Sequence, residues 1–289
     1  MNMQLVVVSG QAGSGKSVAL DVLEDSGYYV VDNLPVPLLP GLVEHLEHLG
    51  CTRAAASVDV RGRDGLETLP ALAATLRQRG ADLRVLFLEA KTDTLVKRFS
   101  ETRRRHPLSD DSATLTECIE RERGLLEPLR AIGHRMDTSD LSANTLRGWV
   151  RAFVNASAHS GLTLMVESFG FKHGIPLDAD FVFDVRCLPN PHYDERLRML
   201  TGRDAAVVRF RETAEAVGAM RADIRAFVER WLPCFEQDNR SYLTIGIGCT
   251  GGRHRSVYLA EALAAHFREH RPVLLRHREL TAAELVPQR

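Results

Sequence analysis

The chain has 289 residues, 44% of them hydrophobic and 26% charged, with a formal net charge of −1. This is the composition of an ordinary globular protein, and the length predicts two domains. The near-neutral balance excludes a global field attracting nucleic acid or membrane, so such a partner would need a local patch. Five scattered cysteines, never in C-x-x-C spacing, argue against a disulfide scaffold or zinc knuckle and for a reducing compartment. No stretch reaches the ~18 apolar residues of a membrane span, and the N-terminus lacks the regions of a signal peptide. The expectation is a cytoplasmic protein with no membrane contact.

Residues 5–8 read as a buried strand. Directly after it, Gly10, Gln11, Ala12, Gly13, Ser14, Gly15, Lys16 and Ser17 fit G-x-x-x-x-G-K-[ST], and a helix follows to Gly27. Glycines let the backbone wrap phosphate oxygens with N–H groups inward, and the helix start adds partial positive charge. Lys16 can reach the outer phosphates and Ser17 can ligate Mg²⁺. The spacing therefore predicts a nucleoside triphosphate site.

Residues 28–32 predict a second buried strand, 54–60 a third and 83–90 a fourth, with helices between them. A short strand and a capped helix follow two further helices in the span 92–158. Continuously apolar strands alternating with helices predict a parallel sheet covered on both faces. The expected fold is α/β: an N-terminal kinase-like P-loop NTPase domain over 1–156, plus a second, smaller α/β domain over 161–289. Asp32 and Asp59 both close strands, where ligands bind in such sheets; one of the two is expected to act on metal or water, and a plain turn aspartate is the alternative. Ser17 and Asp59 are the pair that would hold Mg²⁺; no tightly bound metal is expected. Arg103, Arg104 and Arg105, before His106 and Pro107, form either a lid over phosphates or a solvated helix cap.

Residues 155–161 (NASAHSG) read as a linker. Strands are then expected over 162–168, 179–186 and 241–249, with one long helical region over about 212–236. The last strand runs into Cys249, Thr250, Gly251, Gly252, Arg253, His254, Arg255 and Ser256, then a helix. This is a second strand, Gly-rich loop and helix start, and reads as an anion site. Its spacing also fits C-x-x-x-x-x-R-S of cysteine phosphatases, though Gly248 stands where those have histidine. A purely structural turn is the third reading. Lys172, His173, Asp184, Arg186 and His192 sit on loops or strand ends and could join it as a sugar-phosphate pocket. From Arg253 onward, seven arginines face four glutamates. Within that tail Arg271, Arg276 and Arg278 could contact RNA backbone or simply be solvated.

SGQAGSGKSVAL, YYVVDNLPVPLLP, VDVRG, FLEA, DTSDLS, ESFGFKHGIPLDADFVFDVRCLPNPHY, LTGRD, NRSYLTIGIGCTGGRHRSVYLAE and RHREL together resemble the RapZ/YvcJ family of P-loop RNase adapters, in order and over essentially the whole chain. The resemblance implies weak ATP and GTP hydrolysis, with an ATP loop at Gly10 to Ser17 and a GTP segment at Asp59, Val60, Arg61 and Gly62. It implies a glucosamine-6-phosphate sensor in the second domain, with the phosphate on the 249–256 loop and His192 nearby. It further implies a homo-oligomer that binds small regulatory RNA and presents it to an endoribonuclease. Two departures stand out. Gly62 replaces a common asparagine, and the tail TAAELVPQR lacks the terminal Lys/Arg cluster of RNA-binding members. The rival functions are a small-molecule P-loop kinase, with Asp32 as base, and a cysteine phosphatase at Cys249.

Overall fold

A computed structural model of the protein describes residues 3–62, 65–110, 112–155, 162–237 and 242–285. The chain divides into two compact units, Met1–Asn155 and Ala156–Arg289. Residues 156–161, most of the expected linker, lie outside the described residues.

The first unit holds strands β1 (Gln4–Gly10), β2 (Tyr29–Val31), β3 (Arg53–Ser57), β4 (Asp82–Glu89) and β5 (His134–Asp137). Its helices are α1 (Lys16–Asp25), α2 (Leu39–His48), α3 (Leu69–Gln78), α4 (Thr92–Thr102), α5 (Leu115–Ile132) and α6 (Ala143–Asn155). The strands are all parallel, in the order 2-3-1-4-5, so β1 is central and its apolar run is buried on both faces. Side chains alternate across it. Leu5 and Val7 join α2, α3 and α5 in one apolar cluster, while Val6 and Val8 turn to the face where α1 packs on α6. Each fully buried leucine or valine there contributes about 1.5–3 kcal/mol. The second strand departs from expectation: β2 is the sheet edge, with Tyr29 exposed and Val30 and Val31 only half-buried. An edge strand lacks the second neighbour that would cover it.

The second unit holds β6 (Thr163–Gly170), β7 (Phe181–Asp184), β8 (Tyr242–Cys249) and β9 (Val273–His277), again all parallel, in the order 7-8-6-9. Leu164, Val166, Leu243 and Ile245 pack against helices α8 (Glu215–Gln237) and α9 (Arg255–Arg268). The single helical region expected over 212–236 is instead two helices. α7 (Ala205–Glu212) ends where the Thr213 hydroxyl bonds back to the Phe210 carbonyl at 2.9 Å, and α8 starts at Glu215.

The fold corrects the arginine readings near the C-terminus. β9 continues through Arg276, which pairs in register with Glu167 on β6. Arg276 is therefore buried, 3.9 Å from the buried Asp178. Burial lowers its pKa, against the opposing pull of Glu167 and Asp178. Arg278 lies 3.5 Å from Glu167, and Arg271 bonds Glu236 at 2.9 Å. Two of the three arginines expected on RNA phosphates thus point inward, and the third is held by a carboxylate.

Candidate functional site

At the first loop, β1 delivers Gly10 and α1 takes over at Lys16. The loop is pinned from three sides. The Gln11 side-chain oxygen accepts the Ala90 N–H at 2.9 Å, at the end of β4. The Thr138 hydroxyl donates to the Ser14 carbonyl at 2.9 Å. Arg98 on α4 donates to the Gly13 carbonyl at 3.0 Å and to the Thr138 hydroxyl at 3.1 Å. The Lys16 ammonium is folded back onto the Gly10 and Gln11 carbonyls at 2.7 and 3.2 Å, with Asp59 at 3.5 Å. Burial lowers its pKa, while Asp59 and Glu122 pull the other way. Among the described residues, the buried Ser14 Oγ and Gln11 Nε2 have no hydrogen-bond partner. Ser17 is exposed in the first turn of α1, open to a cation or phosphate.

Asp59 is buried just beyond β3. Its carboxylate accepts the Arg61 backbone N–H at 2.9 Å and the Arg61 guanidinium at 2.6 Å. Burial opposes its charge, but Arg61 and Lys16 outweigh burial and hold it below the ordinary aspartate range. Val60, Arg61 and Gly62 form a short 3-10 turn beside it, so the expected GTP segment lies against the first loop through the Lys16–Asp59 pair. Asp32 takes a short hydrogen bond from the Ser57 hydroxyl, and its charge acts on Arg61. Arg103, Arg104 and Arg105 are exposed where α4 ends, whereas His106 turns inward.

In the second unit, β8 delivers Cys249 and α9 begins at Arg255. Gly252 has φ +70°, and a Cβ there would lie 2.7 Å from the Gly170 backbone nitrogen. Only glycine lets the loop lie so close to the end of β6. The Gly252 N–H donates to the Cys249 sulfur at 3.2 Å, and Ser256 Oγ lies at 3.2 Å. Burial pushes the thiol pKa up, but these hydrogen bonds and the Arg255 charge bring it below the ordinary thiol value. At Gly248 an added Cβ would meet the Phe169 and Phe171 rings at 2.5 Å, so the histidine of cysteine phosphatases does not fit. Arg255 donates to the Arg186 and Leu188 carbonyls at 2.6 and 3.2 Å and to the Thr250 hydroxyl at 3.1 Å. The Lys172 side chain lies along Gly251, and its backbone N–H donates to the Thr250 carbonyl at 3.3 Å. His192 is exposed, its ring 6.5 Å from that of His254. Burial lowers the pKa of His254, and its Nε2 contacts the Leu197 carbonyl at 3.2 Å. Arg253 departs from the loop: its guanidinium pairs with Glu284. His173 likewise pairs with Glu279 at 3.2 Å, and Asp184 pairs with Arg186 at 2.7 Å.

The sequence reading passed over two sets of residues. Arg211 on α7 is wholly buried; one nitrogen bonds the Pro189 carbonyl, while Nε and Nη2 have no partner among the described residues. Burial and the neighbouring Arg255 push its pKa down to about 10, and the Cys249 charge acts on it too. Two adjacent guanidinium groups beside a helix start form a strong anion-binding arrangement. In the first unit, Glu122 on α5 is fully buried and contacts the loop itself. Its signal was a carboxylate on the apolar stripe of Cys118, Ile119, Leu126 and Leu129.

The 2-3-1-4-5 parallel sheet with its Gly-rich loop defines a kinase-like P-loop α/β unit, joined to a second parallel α/β unit. Residues 3–158 match the family model of the RapZ-like N-terminal domain, and residues 162–281 that of the RapZ C-terminal domain. The chain belongs to the RapZ family. A relative from Azoarcus sp. is 59% identical over 276 residues, covering 96% of this chain and 94% of its own. One from Thiobacillus denitrificans is 60% identical over 279 residues, covering 96% and 100%. Both are called nucleotide-binding proteins. Among solved structures, the chain is similar to a sugar kinase from Janibacter sp. (17% identity, TM-score 0.37, 54% of this chain and 96% of that one). It is also similar to shikimate kinase from Acinetobacter baumannii (17% identity, TM-score 0.34, 53% and 93%).

Proposed function

We propose that the protein is a regulatory nucleotide-binding protein with an anion site in each unit. The 10–17 loop binds ATP or GTP with Mg²⁺ and supports weak hydrolysis. The 249–256 loop senses glucosamine-6-phosphate, and the output is presentation of a small regulatory RNA to an endoribonuclease by a cytoplasmic homo-oligomer. The observation that carries the sensor reading is the pair Arg211 and Arg255 beneath the second loop, with nitrogens on both lacking hydrogen-bond acceptors among the described residues. The names of the relatives and the burial of Lys16 at the first loop support the nucleotide reading. The donor set suits Mg²⁺: the exposed Ser17 hydroxyl would bind it directly, and Asp59 would orient its water by exchanging contacts now made to Lys16 and Arg61. In hydrolysis Lys16 would stabilise charge on the transferring phosphoryl group, and Mg²⁺ supplies the rest of that charge neutralisation.

Calorimetry of the full chain tests the sensor reading. Glucosamine-6-phosphate should bind with a clear heat and glucosamine at least tenfold more weakly; equal, negligible heats would remove the reading. The adapter reading requires that RNA affinity fall steeply as salt rises. No RNA binding at low salt would remove it. A small-molecule kinase is the second reading, favoured by the strand order and by the exposed arginines at the end of α4. It requires transfer of the terminal phosphate to an acceptor, and hydrolysis alone counts against it.

A further inference from the structure

The phosphate loop already has an anion on it. Both carboxylate oxygens of Glu122 accept the Ala12 N–H, at 3.0 and 2.9 Å. Ala12 belongs to the glycine-rich loop, where such N–H groups serve phosphate oxygens. Glu122 is fully buried, so its position follows from packing. α5 is started by a reciprocal cap: the Glu117 N–H donates to the Thr114 hydroxyl at 3.3 Å, and the Thr114 N–H donates to Glu117 at 2.7 Å. That start fixes the helix phase, and Glu122 falls on the buried stripe.

A second residue holds the carboxylate in place. His106 Nε2 lies 3.1 Å from Glu122 Oε2, and the Leu108 N–H donates to His106 Nδ1 at 3.1 Å. Because Nδ1 accepts, the hydrogen of the neutral ring sits on Nε2 and is donated to Glu122. A neutral donor leaves the charge of Glu122 in place. Two cations act on it, Lys16 and Arg61, and both also pair with Asp59. Lys16 is the side chain of this loop that reaches outer phosphates. Glu122 therefore sits on a backbone donor of the phosphate cradle, near the side chain that reaches outer phosphates.

We infer that Glu122, held by His106, is an internal phosphate mimic that sets the balance between nucleoside diphosphate and triphosphate at this loop. A diphosphate leaves the outer end to Glu122. A triphosphate brings a second anion to the Ala12 N–H and to Lys16, and must displace the carboxylate or bind beside it. Either course penalises the third phosphate selectively. The inference rests on reading the 10–17 loop as a nucleotide site.

The test is calorimetry with Mg²⁺, ADP and a non-hydrolysable ATP analogue, on wild type, Glu122→Gln and Glu122→Asp. Glutamine keeps the shape and removes the charge; aspartate keeps the charge and draws it back from the loop. The triphosphate-over-diphosphate preference should rise at least tenfold in E122Q and by a smaller factor in E122D. Hydrogen exchange on the wild type supplies a readout that needs no variant. Peptides covering residues 104–126 should exchange faster with the triphosphate analogue than with ADP. An unchanged preference in both folded variants, or equal exchange with the two ligands, overturns the inference and leaves the nucleotide reading standing. Absence of binding by either nucleotide to any of the three proteins overturns both.

Discussion

Replacing Lys16 with alanine should weaken ATP and GTP binding roughly 10- to 150-fold, the range expected for loss of charge-assisted hydrogen bonds to a phosphate. Calorimetry with Mg²⁺ measures it, alongside a thermal melt. Fold and binding should separate in this variant. The Lys16 ammonium bonds two carbonyls of its own loop and lies 3.5 Å from Asp59. Asp59 keeps its 2.6 Å contact with Arg61 when Lys16 is removed, so the carboxylate is not stranded. Affinity within threefold of the wild type would mean that the loop is a structural turn that merely opens α1.

Arg211→Met tests the second loop and should act in two opposite directions. The unliganded protein should melt at the same temperature or higher, because methionine fills the space of a buried guanidinium whose Nε and Nη2 have no partner among the described residues. Binding of glucosamine-6-phosphate should fall tenfold or more, together with the rise in melting temperature that the ligand gives the wild type. A purely structural arginine would behave differently: the variant would lose stability and keep its ligand. Calorimetry and melting curves on the same samples distinguish the two.

Both strand–loop–helix turns were legible in the sequence because each is written in eight consecutive residues between an apolar strand and a helix. The parallel sheets were legible for a related reason, since strands buried on both faces read as unbroken apolar runs. What was not legible depends on distant pairing. Ala12 and Glu122 are 110 positions apart, and Glu122 sits within the highly charged stretch ERER, where any one glutamate reads as solvated. Arg211 is hidden in the same way among the charges of RFRE. Arg276 was misread because three basic residues in a row suggest a surface. The correcting clue was Glu167, a carboxylate in the middle of an apolar strand, which requires a cation opposite it. Arg253 belonged to the loop by spacing, but Glu284 claims its guanidinium.

The charges shared by β6 and β9 also constrain the substitution history of these strands. Glu167, Asp178 and Arg276 form a buried set, with the partly buried Arg278 beside Glu167, in which each charge relies on the others. Losing one member leaves an uncompensated charge in the interior, at a cost of about 3–5 kcal/mol. That is a large part of the roughly 5–15 kcal/mol by which a domain is stable. Single steps away from the set therefore lead through poorly folded intermediates, although a concerted change to apolar side chains would be tolerated. The positions are locked by the lack of a passable route between two workable cores, whether or not any of them touches a ligand.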